Sequence, residues 1–380
     1  MRFDQIIGQD LSCKLLQQMA SSDRLPHALL LLGPQGCGKK AVALALAQYI
    51  LCEDQSTGEA CGKCHNCVKS SKNIHPDIHF SFPTIGTNAT SDQFLSQWRS
   101  ALEENLYFDV NDWLQRIGAD NKQGNIPKEE CVNIIRKLSL KTFEGNFKIL
   151  IMWLPEYLGK EGNRLLKMIE EPPEKTIFIL LAENQELILN TILSRCQIVQ
   201  LNPLSDEAIV KGLVQGNITG KETAEGIAHL ADGNFNEALR MAAERENDNA
   251  ALLLDWLRKC YKGNGIEMVQ WSEAIAEIGR ENQKQFLRYG LHFFREYLLL
   301  LLTGNEAVRL QPKELETARN LTKVISFDQV DSIVRLFTDC AYFVERNANP
   351  KVLFLDTSIK MHRIIKRKEA IAVEVPGYRY

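Results

Sequence analysis

Gly33-Pro34-Gln35-Gly36-Cys37-Gly38-Lys39-Lys40 sits between an apolar run, residues 27–32, and an alanine-rich helical pattern, residues 41–50. Strand, glycine loop and helix in that order form the context of a phosphate-binding loop, which a mere tight turn would not need. Glycines let successive backbone N–H groups curl around an anion, and the helix adds its positive N-terminal end. Gly33, Gly36 and Gly38 would shape the cradle, and Lys39 would reach the terminal phosphates. The residue after that lysine should be Ser or Thr, whose hydroxyl ligates magnesium. Here it is Lys40, which has no lone pair to offer while charged.

The second half of a hydrolytic site is an acidic pair at the end of a later strand, holding magnesium and orienting water. The matching strand is Phe147 to Met152, and the acidic positions carry Trp153 and Leu154. Glu156 follows beyond Pro155 and is expected to point elsewhere. Two independent parts of the apparatus are absent, so the pattern reads as a nucleotidase fold that no longer hydrolyses nucleotide. Whether the loop still holds a nucleotide without metal stays open.

The 380-residue chain has room for two or three domains, and its composition (45% hydrophobic, 24% charged) is that of a globular protein. A net charge of -3 argues against a surface devoted to nucleic acid, although a local basic patch is compatible with it. Met1 to Gln5 lacks the apolar core of a signal peptide, and Tyr297 to Leu302 is too short to cross a bilayer. The expectation is a cytoplasmic protein, in which ten cysteines need a reason other than disulfides.

Along the chain, a lead-in helix at about 10–21 precedes the loop. Strands are expected near 75–80, 147–152, 176–182 and 197–201, with helices at 127–138 and 160–171 between them. This alternation predicts an α/β domain, a mostly parallel sheet with helices on both faces, over residues 1–202. Within it, residues 83–123 have a weak pattern carrying Trp98, Tyr107 and Trp113, and read as an insertion on the domain's surface. Residues 203–247 read as a small helical lid, and 248–380 as an all-α domain ending in a loose tail at 373–380.

Cys52, Cys61, Cys64 and Cys67 stand as C-x8-C-x2-C-x2-C, with the short bite that lets thiolates approach one ion. Four thiolates make a closed tetrahedral zinc site with no open position for catalysis. An iron–sulfur cluster is the alternative, since spacing does not separate sulfur-bound metals, and His65 is a competing ligand. The other six cysteines read as core or neutral positions.

Ser194-Arg195-Cys196 precedes the last strand. Arg195 cannot easily serve the chain's own loop, but it could project from the domain edge toward a neighbour's nucleotide, where a guanidinium stabilises charge on the γ-phosphate. A surface ion pair is the plain alternative.

Phe3-x-x-Ile-Ile-Gly-Gln9, Leu25-Pro-His-Ala28, Gly33-Pro-x-Gly-x-Gly-Lys39, the four cysteines, Asn163-x-Leu-Leu-Lys167, Glu170-Glu-Pro-Pro173 and Ser194-Arg-Cys196 occur in this order. Together they resemble the delta-prime subunits of the bacterial DNA polymerase III clamp loader, in the AAA+ family. The specific motifs cover residues 1–201; the lid and C-terminal helices agree only in order and size. The resemblance implies a subunit of a five-membered ring, held by its C-terminal domains, that loads the sliding clamp on primed DNA. It implies partners in the ATP-hydrolysing tau/gamma-type and the delta-type subunits, with clamp and primer-template met through the complex and no membrane. It also implies structural zinc, no hydrolysis at this chain's own site, and Arg195 as a finger completing a neighbour's site. Asn236 stands where hydrolysing relatives carry an arginine facing their own nucleotide. Two other readings stay on the table. An active ATPase motor of the same loader would need Glu156 to orient water. A zinc-stabilised DNA-binding module would need a basic, aromatic-interleaved stretch.

Overall fold

A computed structural model describes residues 1–366, apart from 23–24, 56–57, 120–122, 244–248, 305–307, 309 and 311. The tail at 373–380 lies outside the described residues. The chain divides into two compact units, residues 1–243 and 244–380.

In the first unit α1 (Asp10–Ser21) leads into β1 (Ala28–Leu32), and the glycine loop into α2 (Lys39–Leu51). Then come α3 (His65–Ser71), β2 (Ile78–Ser81), α4 (Leu95–Glu104), α5 (Val110–Arg116), α6 (Lys128–Leu138) and β3 (Lys148–Trp153). After them follow α7 (Leu166–Glu170), β4 (Thr176–Ala182), α8 (Asn190–Leu193) and β5 (Gln197–Gln200). The five strands pair in the order β2-β3-β4-β1-β5, all parallel. Such a sheet needs cover on both faces, and alternation along β1 supplies it. Leu29 and Leu31 join the core under α2, while Ala28, Leu30 and Leu32 join the one under α6 and α7. The α/β class expected from the sequence is therefore observed, and each predicted strand is present.

Two local expectations change. The helix expected over 160–171 is a run of 3-10 turns, Pro155–Leu165, followed by α7. The run breaks at Gly159, whose φ of 49° is a left-handed conformation that glycine adopts at little cost. The second change concerns the insertion, which buries one face in the core and leaves only the other on the surface. Trp98 and Trp113 are buried in the main core. Trp98 stacks on Phe82 with centroids 4.2 Å apart, and Trp113 donates its indole N–H to the Pro83 carbonyl at 2.7 Å. Antiparallel bonds between Thr84 and Asn125, 2.8 and 2.9 Å, tie the ends of the insertion together. Its weak pattern hid a compact piece of the core.

The segment expected to be a lid comprises α9 (Asp206–Gln215), α10 (Lys221–Ala231) and α11 (Phe235–Ala243); it lies in the same compact unit as the sheet and has an apolar cluster around Ile209, Leu213, Ala228 and Phe235. Tyr107 of the insertion belongs to that cluster. Described separately, the second unit is helical throughout its described elements: α12 (Asn249–Lys262), α13 (Gly265–Glu277), α14 (Arg280–Thr303), α15 (Pro312–Leu321), α16 (Phe327–Glu345) and α17 (Pro350–Lys366). Trp256, Phe286, Phe337 and Phe354 fill its centre, and Gly290 lets Phe337 approach α14 closely; a Cβ there would lie 2.1 Å from the ring. No described helix is long and apolar enough to cross a membrane.

Candidate functional site

The glycine loop has the expected placement at the carboxyl end of β1, but its cations face inward. Lys39 Nζ donates to the carbonyls of Gly33 at 2.7 Å and Pro34 at 2.6 Å, and lies 3.7 Å from the Glu183 carboxylate. The amine that would meet phosphate is held by the loop itself. Lys40 Nζ donates to the Phe108 carbonyl at 2.5 Å and lies 3.7 Å and 4.3 Å from the ring centroids of Phe108 and Trp153. Burial, then the neighbouring Lys39, pushes the Lys40 amine down to about 7. The aromatic faces and the carbonyl are the partners that make a buried ammonium tolerable. Lys40 and Trp153 thus form one arrangement, with a cation and a ring where a metal ligand and a carboxylate were expected.

The lid closes the loop from the other side. Phe235 N–H donates to the Gly36 carbonyl at 3.1 Å. Gly36 has a φ of +68°, and a Cβ on it would lie 1.8 Å from Asn234 Oδ1. Asn236 does not face a nucleotide: its Nδ2 donates to Asp112 at 2.9 Å and its Oδ1 accepts from Asn105 at 2.7 Å. Glu156, the group an active motor would need, accepts from the N–H groups of Glu183 and Asn184 at 2.5 and 2.9 Å, and burial pushes its carboxyl up.

What remains beside the loop is a cavity of about 20 Å³, lined by Gly36, Gly38, Lys39, Lys40, Tyr107 and Phe108 among others. Small-ligand sites run to about 300–1,000 Å³, and about 10–15 Å³ is needed for a single water. Both lysines are engaged by the chain itself, and no hydroxyl or carboxylate stands in place of Lys40 or Trp153.

The cysteine cluster is brought together. The Sγ atoms of Cys52, Cys61, Cys64 and Cys67 all lie within 4.8 Å of one another, with Cys61 and Cys67 3.9 Å apart. Thiolates at about 2.3 Å from a tetrahedral zinc sit about 3.8 Å apart. Backbone N–H groups already point at the sulfurs: Cys61 to Cys52 at 3.2 Å, Cys64 to Cys61 at 3.3 Å and Cys67 to Cys64 at 3.4 Å. The N–H groups of Lys63 and Cys64 push the Cys61 thiol down to about 7, whereas burial pushes the Cys52 and Cys67 thiols up. The four residues can hold a metal ion in a closed site. His65 sits outside, 3.5 Å from Glu144. The module is fastened to the sheet through Asn66, 3.1 Å from His75 Nε2, and through Lys69, which pairs with Glu144 at 2.7 Å.

Arg195 is on the other side of the sheet's edge, after α8. Its guanidinium pairs with Glu170 and donates to the Thr191 carbonyl at 2.6 Å, and its side chain keeps 31% of its exposure. With His27, Glu170 and Ser194 it lines an open notch of about 410 Å³. The ion pair and the open position coexist: Glu170 orients an arginine that still faces outward.

The sequence missed Asn105, Tyr107, Phe108, Asp109 and Arg240 as residues of the loop's surroundings. The signal was the aromatic density from Trp98 to Trp113, too high for a solvated insertion.

Residues 8–205 match a protein family described as "DNA polymerase III, delta subunit". The chain is similar to DNA polymerase III subunit delta' of Bacillus subtilis (strain 168), 27% identical over 302 residues that cover 77% of this chain and 78% of that one. It is also similar to subunit tau of the same organism, 23% identical over 99% of this chain, which spans only 63% of tau. Among solved structures, a gamma-subunit-related protein from Thermotoga maritima aligns with 94% of this chain and 100% of its own, at 15% identity and a TM-score of 0.39. The chain belongs to the DNA polymerase III delta-subunit family and is a clamp-loader subunit of the delta-prime/tau/gamma type.

Proposed function

We propose that the chain is the delta-prime-type member of the loader: it hydrolyses no nucleotide itself and contributes Arg195 to the ATP site of an adjoining tau/gamma-type subunit. One contrast carries this reading. The chain's own loop is filled by Lys39, Lys40 and Phe108, whereas Arg195 stands in an open notch. A guanidinium held at a surface by Glu170 has its planar donors available for a phosphate brought by a neighbour. Within the loader the delta-type subunit, the sliding clamp and primer-template DNA are the further partners, met through the complex, and the location is cytoplasmic. The cysteine cluster holds zinc in a structural role, since four sulfurs leave no position for substrate.

Homologues of the tau and gamma type raise a second reading, an ATPase motor of the same loader. Against it stand Lys40 and Trp153 in the metal's place and Glu156 committed to two backbone N–H groups. The purified chain is expected to turn over no ATP with magnesium and primed DNA. Sustained turnover, abolished by Lys39→Ala, would establish the motor instead.

A further inference from the structure

The missing catalytic groups leave open what seats the lid on the glycine loop, and the insertion lies where the two meet. Its segment Asn105–Asp112 runs between the glycine loop and α11 and contacts both. Toward the loop, the Phe108 carbonyl takes the Lys40 amine at 2.5 Å, and a Cβ on Gly38 would lie 3.4 Å from the Tyr107 ring. Toward the lid, Tyr107 packs on Phe235 with centroids 4.7 Å apart.

The polar contacts on the lid side form a chain. Asn105 Nδ2 donates to Asn236 Oδ1, and Asn236 Nδ2 donates to Asp112 Oδ2. Arg240 then reaches Asp109 at 3.0 Å and Asp112 at 2.5 Å, and Glu237 at 3.5 Å. Asp109 and Asp112 are themselves fixed, because they form the reciprocal cap at the start of α5. Tyr107 and Phe108 are both buried. A partly buried network with every member engaged holds one geometry well, because a single broken link leaves polar groups unpaired in low dielectric.

We propose that residues 105–112 are a built-in occupant of the nucleotide site, joining the glycine loop to the lid so that the lid's seat is set by the chain and not by ATP. In a nucleotide-binding domain the ligand bridges loop and lid. Here Phe108 and Tyr107 meet the loop, while Asn105, Asp109 and Asp112 meet Asn236 and Arg240. This deepens the reading of a non-hydrolysing subunit, yet it makes no use of Arg195, so the two stand or fall separately.

Hydrogen–deuterium exchange of the full chain, with and without magnesium ATP at 1 mM, tests it together with calorimetric titration of the same nucleotide. The intact chain is expected to show no binding heat and no change in exchange at residues 33–40, 105–112 or 235–243. The variant Asn236→Ala/Arg240→Ala is expected to exchange at least about tenfold faster over 105–112 and 235–243, with β3 unchanged. Arg240→Lys, which keeps a charge but loses the fork, is expected to fall between. Saturable ATP binding by the intact chain with protection of 33–40 would overturn the proposal, even if that double variant failed to fold, and would leave the Arg195 reading untouched. A folded double variant with unaltered exchange over 235–243 would overturn it equally.

Discussion

The Lys40 ammonium donates to the Phe108 carbonyl at 2.5 Å beneath the Trp153 ring, so the glycine loop of this chain is closed by a residue from its own insertion. The first prediction comes from that pair. The Lys40 amine is pushed down to about 7 from 10.5 by burial and by Lys39. Between those values the unfolded chain binds the proton that the folded chain gives up, so the lysine's contribution makes stability rise from about pH 7 toward pH 10. Urea unfolding at pH 7 and pH 9.5 should show a larger gain for the native protein than for Lys40→Met, and at pH 7 the variant should be at least as stable. Equal gains in the two proteins would mean that Lys40 keeps its ordinary affinity for the proton.

Gly36 meets the lid where no side chain can stand: its φ is +68°, and an added methyl group would sit 1.8 Å from Asn234 Oδ1. Gly36→Ala should therefore cost about 1–3 kcal/mol, the range of backbone strain and steric effects. Thermal unfolding checks it. The proteolytic susceptibility of residues 235–243 should rise with it, because the lid helix has to move away.

Trp98 lies against Phe82, Trp113 and Trp153 in the interior. Trp98→Ala should destabilise the first unit by about 3–5 kcal/mol, as large-to-small changes at buried aromatics do. An insertion lying on the surface would instead give a change within about 0.5 kcal/mol.

Removing metal should act on the same unit. The four thiols converge at the end of α2, and a closed thiolate site contributes its binding free energy to folding. Metal analysis of freshly purified protein should give one zinc per chain. A strong chelator should lower the unfolding temperature, and Cys64→Ser should do the same without chelator. Iron in place of zinc, with visible absorbance, would make the site an iron–sulfur centre.

The strands and the loop placement were legible because short apolar runs are strong local signals, as 27–32, between Pro26 and Gly33, and 176–182 illustrate. The four cysteines were legible because their ligand spacing is local. The closing of the loop was not. Lys40 could be read as a lost metal ligand, but its partner Phe108 is distant in sequence and offers a backbone carbonyl, which any residue type carries. Arg240 and Asp109 were hidden for the same reason, since an ion pair 131 positions apart leaves no periodic trace. The break at Gly159 was missed because Glu161 to Glu170 keeps a helical apolar spacing, and only the backbone reveals the turn before it.

Arg195 supplies the most direct test of the account. The ATPase rate of a complex assembled from this chain, the tau/gamma-type and delta-type subunits, clamp and primed DNA should be compared with this chain intact, carrying Arg195→Ala, or omitted. An arginine finger is worth about 10³–10⁵ at the site it serves. The exposed Arg195–Glu170 pair contributes at most about 1 kcal/mol to stability. The substitution should therefore silence the adjoining site while unfolding temperature and complex assembly hold. A rate unchanged by the substitution, in a complex that still contains the chain, would contradict the account.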